Sequence, residues 1–92
     1  MNDSELNNLR KLVDEIMYAP TKKEAKTPIK RLDFLASRLE SEIGGNLSYK
    51  LAEIISYAKE ASGESKNKEK WIDGVENSWS DFKSGVKKLN LK

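Results

Sequence analysis

The sequence predicts an all-α protein, a small antiparallel four-helix bundle formed by one domain over residues 1–92. Apolar residues recur every three or four positions along most of the chain, which is the period of an amphipathic helix. No segment alternates apolar and polar residues in the way that indicates a half-buried strand. Helix-breaking residues divide the pattern into four segments, each with one apolar stripe to bury against the others. These segments cover about residues 4–18, 28–43, 47–62 and 67–89.

The first predicted helix begins near Asp3 and Ser4, which are residue types that cap helix starts. Pro20 ends it. Its apolar stripe consists of Leu6, Leu9, Leu12, Val13, Ile16 and Met17.

A Lys-rich connector separates the first helix from the second. Thr21 and Glu24 have the spacing of a capping box, which predicts one extra helical turn in this connector. The pair Thr27-Pro28 is typical of a cap followed by a first-turn proline, so the second helix is predicted to begin there. It ends at Gly44-Gly45, where a left-handed backbone costs little. Its stripe consists of Ile29, Leu32, Leu35, Ala36, Leu39 and Ile43.

The third helix is predicted to be capped by Asn46 and closed by Gly63. Its stripe consists of Leu47, Leu51, Ile54, Ile55, Ala58 and Ala61. The fourth helix has the densest heptad pattern of the chain, formed by Ile72, Val75, Trp79, Phe82, Val86 and Leu89. Both tryptophans of the chain, Trp71 and Trp79, lie on this stripe and are predicted to be core residues.

Gly74, Ser78 and Gly85 form a strip of small residues beside the stripe of the fourth helix. Glycine inside a helix costs about 1 kcal/mol relative to alanine, so something should compensate for it. We expect a neighbouring helix to approach closely at this strip. A groove that admits a partner is the alternative.

The composition is that of a globular domain, with 37% apolar residues, 35% charged residues and a net charge of +2. The chain has no cysteine and no histidine, which removes the strongest side-chain nucleophile, the commonest general base and the commonest metal ligand. We therefore expect no enzyme activity, no metal and no cofactor. The amino terminus has no signal-peptide pattern, so we expect a cytoplasmic protein, and the size is typical of a prokaryotic or phage protein.

Phe34 is the residue that points most directly to a binding function. At 100° per residue it projects about 150° from the stripe of its helix. Its helical neighbours are the cations Lys30, Arg31 and Arg38. Such a ring either packs against a second surface or contacts a partner. Tyr49 also projects away from its stripe, and aromatic residues of this kind are enriched at protein interfaces.

A local excess of positive charge gives a second hypothesis. The segment Lys22–Arg38 contains six cations and two acids. A nucleic-acid site there would use Lys22, Lys23 and Lys26 together with Lys30 and Arg31. The nearly neutral net charge and the lack of a continuous basic stripe weigh against it, because phosphate contacts dominate nucleic-acid affinity.

The sequence thus predicts a small non-catalytic binding protein that acts through protein–protein interaction, with nucleic-acid binding as the alternative. Bundles of about this length include bacteriocin immunity proteins, phage-encoded inhibitors and adaptor modules. The helix order superficially resembles the immunity group, although no motif in the chain identifies a family. We expect a monomer, because four stripes in one chain can cover one another, and the alternative is a dimer formed through the fourth helix.

Overall fold

The computed structural model of the protein describes residues 1–90 and contains three α-helices. These are α1 (Asp3–Met17), α2 (Lys22–Ala61) and α3 (Lys68–Asn90). No strand occurs among the described residues, so the predicted all-α class is confirmed. The four-helix bundle is not confirmed, because the predicted second and third helices form one element, α2. None of these helices combines the length and the apolar content needed to cross a membrane.

Helix α1 begins one residue before its predicted start and ends one residue before its predicted end. Its cap is Asn2 rather than Asp3 or Ser4. The side-chain oxygen of Asn2 accepts a hydrogen bond from the backbone N–H of Glu5 at 2.9 Å. The carboxylate of Glu5 accepts one in return from the N–H of Asn2 at 3.3 Å. This reciprocal capping box satisfies two N–H groups that the helix itself leaves unpaired.

Helix α2 begins at Lys22, so the predicted start of a helix at residue 28 is wrong. The hydroxyl of Thr21 accepts a hydrogen bond from the N–H of Glu24 at 3.1 Å, and this cap starts the helix before the proline is reached. Pro28 lies inside α2, where its missing N–H removes the usual donor to the carbonyl of Glu24. Pro28 and Ala25 are both buried, and burial of these side chains offsets part of that cost.

The predicted boundary at Gly44-Gly45 is present as a one-residue break inside α2. Gly44 has φ 82° and ψ 172°, a combination that is open almost only to glycine. Gly45 and Asn46 are already helical, so Asn46 does not cap a separate helix over residues 47–62. We call residues 22–43 the first arm of α2 and residues 45–61 its second arm.

The break folds α2 back on itself. A straight helix of the 40 residues in α2 would be about 60 Å long, but the longest dimension of the molecule is 42 Å. Contacts near the open ends show that the two arms lie side by side. The Lys22 ammonium, on the first arm, donates to the carbonyl oxygen of Lys59 at 2.6 Å and to the Ser62 hydroxyl at 3.2 Å.

The core is formed by α1, both arms of α2, and α3. The predicted stripes supply nearly all of it, namely Leu6, Leu9, Val13, Ile16, Met17, Leu32, Leu39, Ile43, Leu51, Ile54, Ile55, Ala58, Ala61, Val75, Trp79, Phe82 and Val86. Trp79 is only 9% exposed and its ring centroid lies 5.5 Å from that of Phe82, which confirms its core position. Trp71 is half-buried against Tyr57, with their ring centroids 5.8 Å apart.

The second arm of α2 approaches α3 closely along the predicted small-residue strip. A Cβ added at Gly74 would lie 3.0 Å from Cδ2 of Tyr57, and one added at Gly85 would lie 2.5 Å from Cδ2 of Leu47. The Ser78 hydroxyl donates to the carboxylate of Glu53 at 3.3 Å. The expectation of a close helix contact at this strip is therefore confirmed.

The helix ends meet at one end of the molecule, where a lysine holds them together. The Lys68 ammonium donates to the carbonyl oxygens of Met17 and Gly63, each at 3.1 Å, and to that of Ala61. Met17 and Ala61 are the last residues of α1 and α2, where helix carbonyls lack partners and carry partial negative charge. The N–H of Gly63 also donates to the carbonyl of Ala19 at 2.9 Å.

Arg10 joins α1 to α3 away from the helix ends. Its Nε lies 2.9 Å from Oδ1 of Asp14, its terminal nitrogen pairs with Glu76, and its guanidinium lies 5.6 Å from the ring centroid of Trp79. Partial burial opposes the charged form of Arg10, yet the hydrogen bonds and charges of Glu76 and Asp14 raise its pKa above the ordinary value. The guanidinium therefore stays charged while it covers the indole face.

Candidate functional site

The two aromatic residues that the sequence singles out are exposed on α2. Phe34, on the first arm, is 68% exposed, and Tyr49, on the second arm, is 75% exposed. The sequence left open whether either ring packs internally, and the structure shows that neither does. The cations predicted to surround Phe34 are exposed as well, namely Lys30, Arg31 and Arg38.

Phe34 is part of a regular row of side chains along the first arm. Lys26, Lys30, Phe34 and Arg38 follow one another at intervals of four residues, and all four are exposed. Residues four apart on a helix are neighbours, with Cβ atoms about 5–6 Å apart. We call these four residues the Phe34 row. Within residues 1–90 none of its three cations makes an ion pair.

The basic residues proposed to bind nucleic acid differ in their surroundings. Lys23 and Lys26 are exposed on the first arm. The ammonium of Lys22 instead donates to carbonyl oxygens at the end of the second arm and to Ser62. Lys22 therefore has a structural role at the junction of the two arms.

A shallow open groove with a volume of about 680 Å³ lies between the two arms of α2. Its lining includes small and apolar side chains, among them Ala36, Leu51, Ala52 and Ile55. Tyr49 lines it near the break at Gly44, and Lys59 lines it toward the open end. The period of apolar residues does not reveal this groove, because the groove exists only when the chain folds back at Gly44.

Two carboxylates on the first arm line the groove. Asp33 and Glu40 are both exposed, and neither makes an ion pair within the described part of the chain. Asp33 directly precedes Phe34, so the groove and the Phe34 row are adjacent surfaces of one arm. The Ser48 hydroxyl, also in the lining, is buried and has no hydrogen-bond partner among residues 1–90.

The exposed groups of α2 are suited to noncovalent contact: an aromatic ring, a row of cations and a groove lined by small side chains. Among residues 1–90 no three carboxylates lie close enough together to hold a metal ion. The pKa of Tyr57, on the second arm, is raised by the negative charge of Glu53 and by a hydrogen bond to it, a contact within that arm.

Comparison of the chain with family models, with curated proteins and with solved structures finds no match.

Proposed function

We propose that the chain is a small non-catalytic binding protein that acts through protein–protein interaction, as an inhibitor, an immunity protein or an adaptor. Its contact surface consists of Phe34, Lys30, Arg31, Arg38 and Tyr49. The observation that supports this most directly is the exposure of the Phe34 ring, at 68%, among cations that make no ion pair within residues 1–90. Full burial of such a ring contributes about 1.5–3 kcal/mol, which is gained only when a partner covers it.

The arrangement matches the way that protein interfaces distribute their binding energy. A few central aromatic or arginine side chains carry most of it, and the surrounding charges mainly set specificity and association rate. Phe34 has Lys30 and Arg38 one turn away on either side. A fitting partner surface therefore has an apolar pocket for the ring and carboxylates beside that pocket.

Nucleic-acid binding is the alternative, and the exposed Lys23, Lys26 and Lys30 are the feature in its favour. The carboxylates of Asp33 and Glu40 on the same arm oppose it, because they would repel a phosphate backbone lying along that arm. The structural role of Lys22 further reduces the charge available to phosphate. We also propose that the protein works in the cytoplasm as a monomer.

Site-directed photo-cross-linking in the native host tests the proposed function. Phe34 is replaced by p-benzoylphenylalanine, and a control carries the same replacement at Tyr18, an aromatic residue that is 59% exposed at the end of α1. We expect a discrete protein adduct from position 34 that position 18 does not give. Adducts that disappear on nuclease treatment, or identical adducts from both positions, would contradict a protein-binding role for this surface.

A further inference from the structure

The groove between the arms of α2 is lined by small side chains of the kind that let a helix pack closely. Of its lining residues, Ala36, Ser37, Ala52 and Ser56 are small and are not buried. Small side chains allow a third helix to approach two packed helices at ordinary interaxial distances of about 8–10 Å. Leu51 and Ile55 also line the groove, but they are buried in the core and offer a docked helix little accessible area.

The length of the groove sets the length of what it can hold. On the second arm its lining extends from Gly45 to Lys59. At 1.5 Å per residue this span is about 21 Å, which equals about four turns of a helix lying in the groove. On the first arm the lining extends only from Asp33 to Glu40, so a helical segment of about 14 residues would span the groove along its second-arm side.

The charges on one side of the groove indicate what that helix carries. Asp33 and Glu40 are seven residues apart, which is two helical turns or about 10.5 Å along the first arm. Neither carboxylate has an ion-pair partner within residues 1–90. Two basic residues that are also seven positions apart on a helix along the first arm would be spaced to match them. Among the described residues, Lys59 at the open end is the one cation in the lining.

We propose that this groove binds an amphipathic helix of the partner protein, about four turns long. The small and apolar residues of this helix face Ala36 and Ala52, and its two basic residues, seven positions apart, face Asp33 and Glu40. The inference rests on the proposed function and deepens it, because it identifies the segment of the partner that docks beside Phe34. Recognition of an amphipathic helix by a groove is a common mode of protein–protein binding.

A selection from helical peptides tests this directly. The probe is a displayed library of 18-residue amphipathic peptides with a fixed Ala/Leu stripe and with Lys, Glu or Gln allowed at the flanking positions. We expect selection on the full-length protein to enrich peptides with two lysines seven positions apart on one side of the stripe. Failure to enrich any peptide, or enrichment without this lysine pair, would overturn the inference.

Matched variants show whether selected peptides occupy the groove. Ser56 lines the groove and Ser80 lies on the exposed face of α3, and both are exposed helical serines. Ser56→Trp should weaken peptide binding by about tenfold or more, whereas Ser80→Trp should change it by no more than about twofold. The double variant Asp33→Lys, Glu40→Lys should shift the selection toward acidic pairs. Binding that survives Ser56→Trp would overturn the proposal.

A second affinity measurement distinguishes failure of the groove inference from failure of the proposed function. Binding of the partner that is cross-linked at position 34 is measured again with Ser56→Trp. Unchanged affinity would overturn the groove inference and leave protein binding at Phe34 standing. A wild-type dimer in sedimentation equilibrium that Ser56→Trp converts to monomer would show that a second copy occupies the groove, which would also overturn the inference.

Discussion

Trp79 is a large core residue of α3 that also contacts α1. It contacts Phe82 on its own helix and lies beneath the Arg10 guanidinium of α1. We expect Trp79→Ala to lower the free energy of unfolding by about 3–5 kcal/mol, because it removes a large buried side chain from a small core. Urea unfolding followed by circular dichroism measures this. Trp71→Ala is the comparison, and it should cost less because Trp71 is half-buried. Equal losses for both would contradict this account of the core.

At the same scale, Phe34 shows what a sequence can and cannot say about one side chain. The helical period places Phe34 off the apolar stripe from the sequence alone. Whether another element covers the ring depends on the path of the rest of the chain, and that path depends on Gly44. The same limit applies to Tyr49. The groove beside these residues has no local signal apart from the small residues on a polar helix face.

At the scale of elements, the break at Gly44 decides the shape of α2. The sequence marked this position correctly as a helix stop, but it predicted two separate helices with a new cap at Asn46. The structure needs neither, because one glycine in a conformation closed to other residues turns the chain and the helix continues from Gly45. At Pro28 the sequence predicted a helix start that the structure does not have, because the cap at Thr21 starts the helix before the proline.

Gly44 and Gly45 give a matched test of that break. Apart from the adjoining backbone, no atom of residues 1–90 lies within 4 Å of a Cβ added at either position, so only the backbone conformation distinguishes the two substitutions. Gly44→Ala should destabilise the protein by about 1–3 kcal/mol, because φ is 82° there. Gly45→Ala should stabilise it by about 0.5–1 kcal/mol, since alanine is the better helix former. Thermal unfolding of both variants measures the difference, and similar effects of the two would contradict the positive φ at Gly44.

Lys68 should be important for the junction of the helix ends. Lys68→Met removes charge-assisted hydrogen bonds to three backbone carbonyls, so we expect a loss of about 1.5–3 kcal/mol in unfolding free energy. Lys66→Met is the control, because Lys66 is exposed in the connector before α3. Denaturant unfolding at two salt concentrations measures both. Indistinguishable midpoints would mean that the contacts of Lys68 contribute nothing to stability.

At the scale of the whole molecule, the prediction is a monomer. The stripes of α1, of both arms of α2 and of α3 are largely buried within one chain, so the core does not need a second copy. Sedimentation equilibrium over a hundredfold range of concentration should give a mass near 10.5 kDa. A mass near twice that value throughout the range would contradict the monomer.

The central claim is that the exposed face of α2 binds a protein through Phe34. It is tested most directly by measuring the affinity for the free partner protein that cross-linking at position 34 identifies. Phe34→Ala should weaken binding by about 30-fold, more than Lys30→Ala, because a buried ring carries more interface energy than a charge at its edge. The melting temperature should not change, because Phe34 is 68% exposed. Similar losses for Lys26, Lys30 and Arg31 variants with a steep fall in affinity with salt would indicate nucleic acid. Either that result or unfolding of Phe34→Ala would contradict the assignment of this surface.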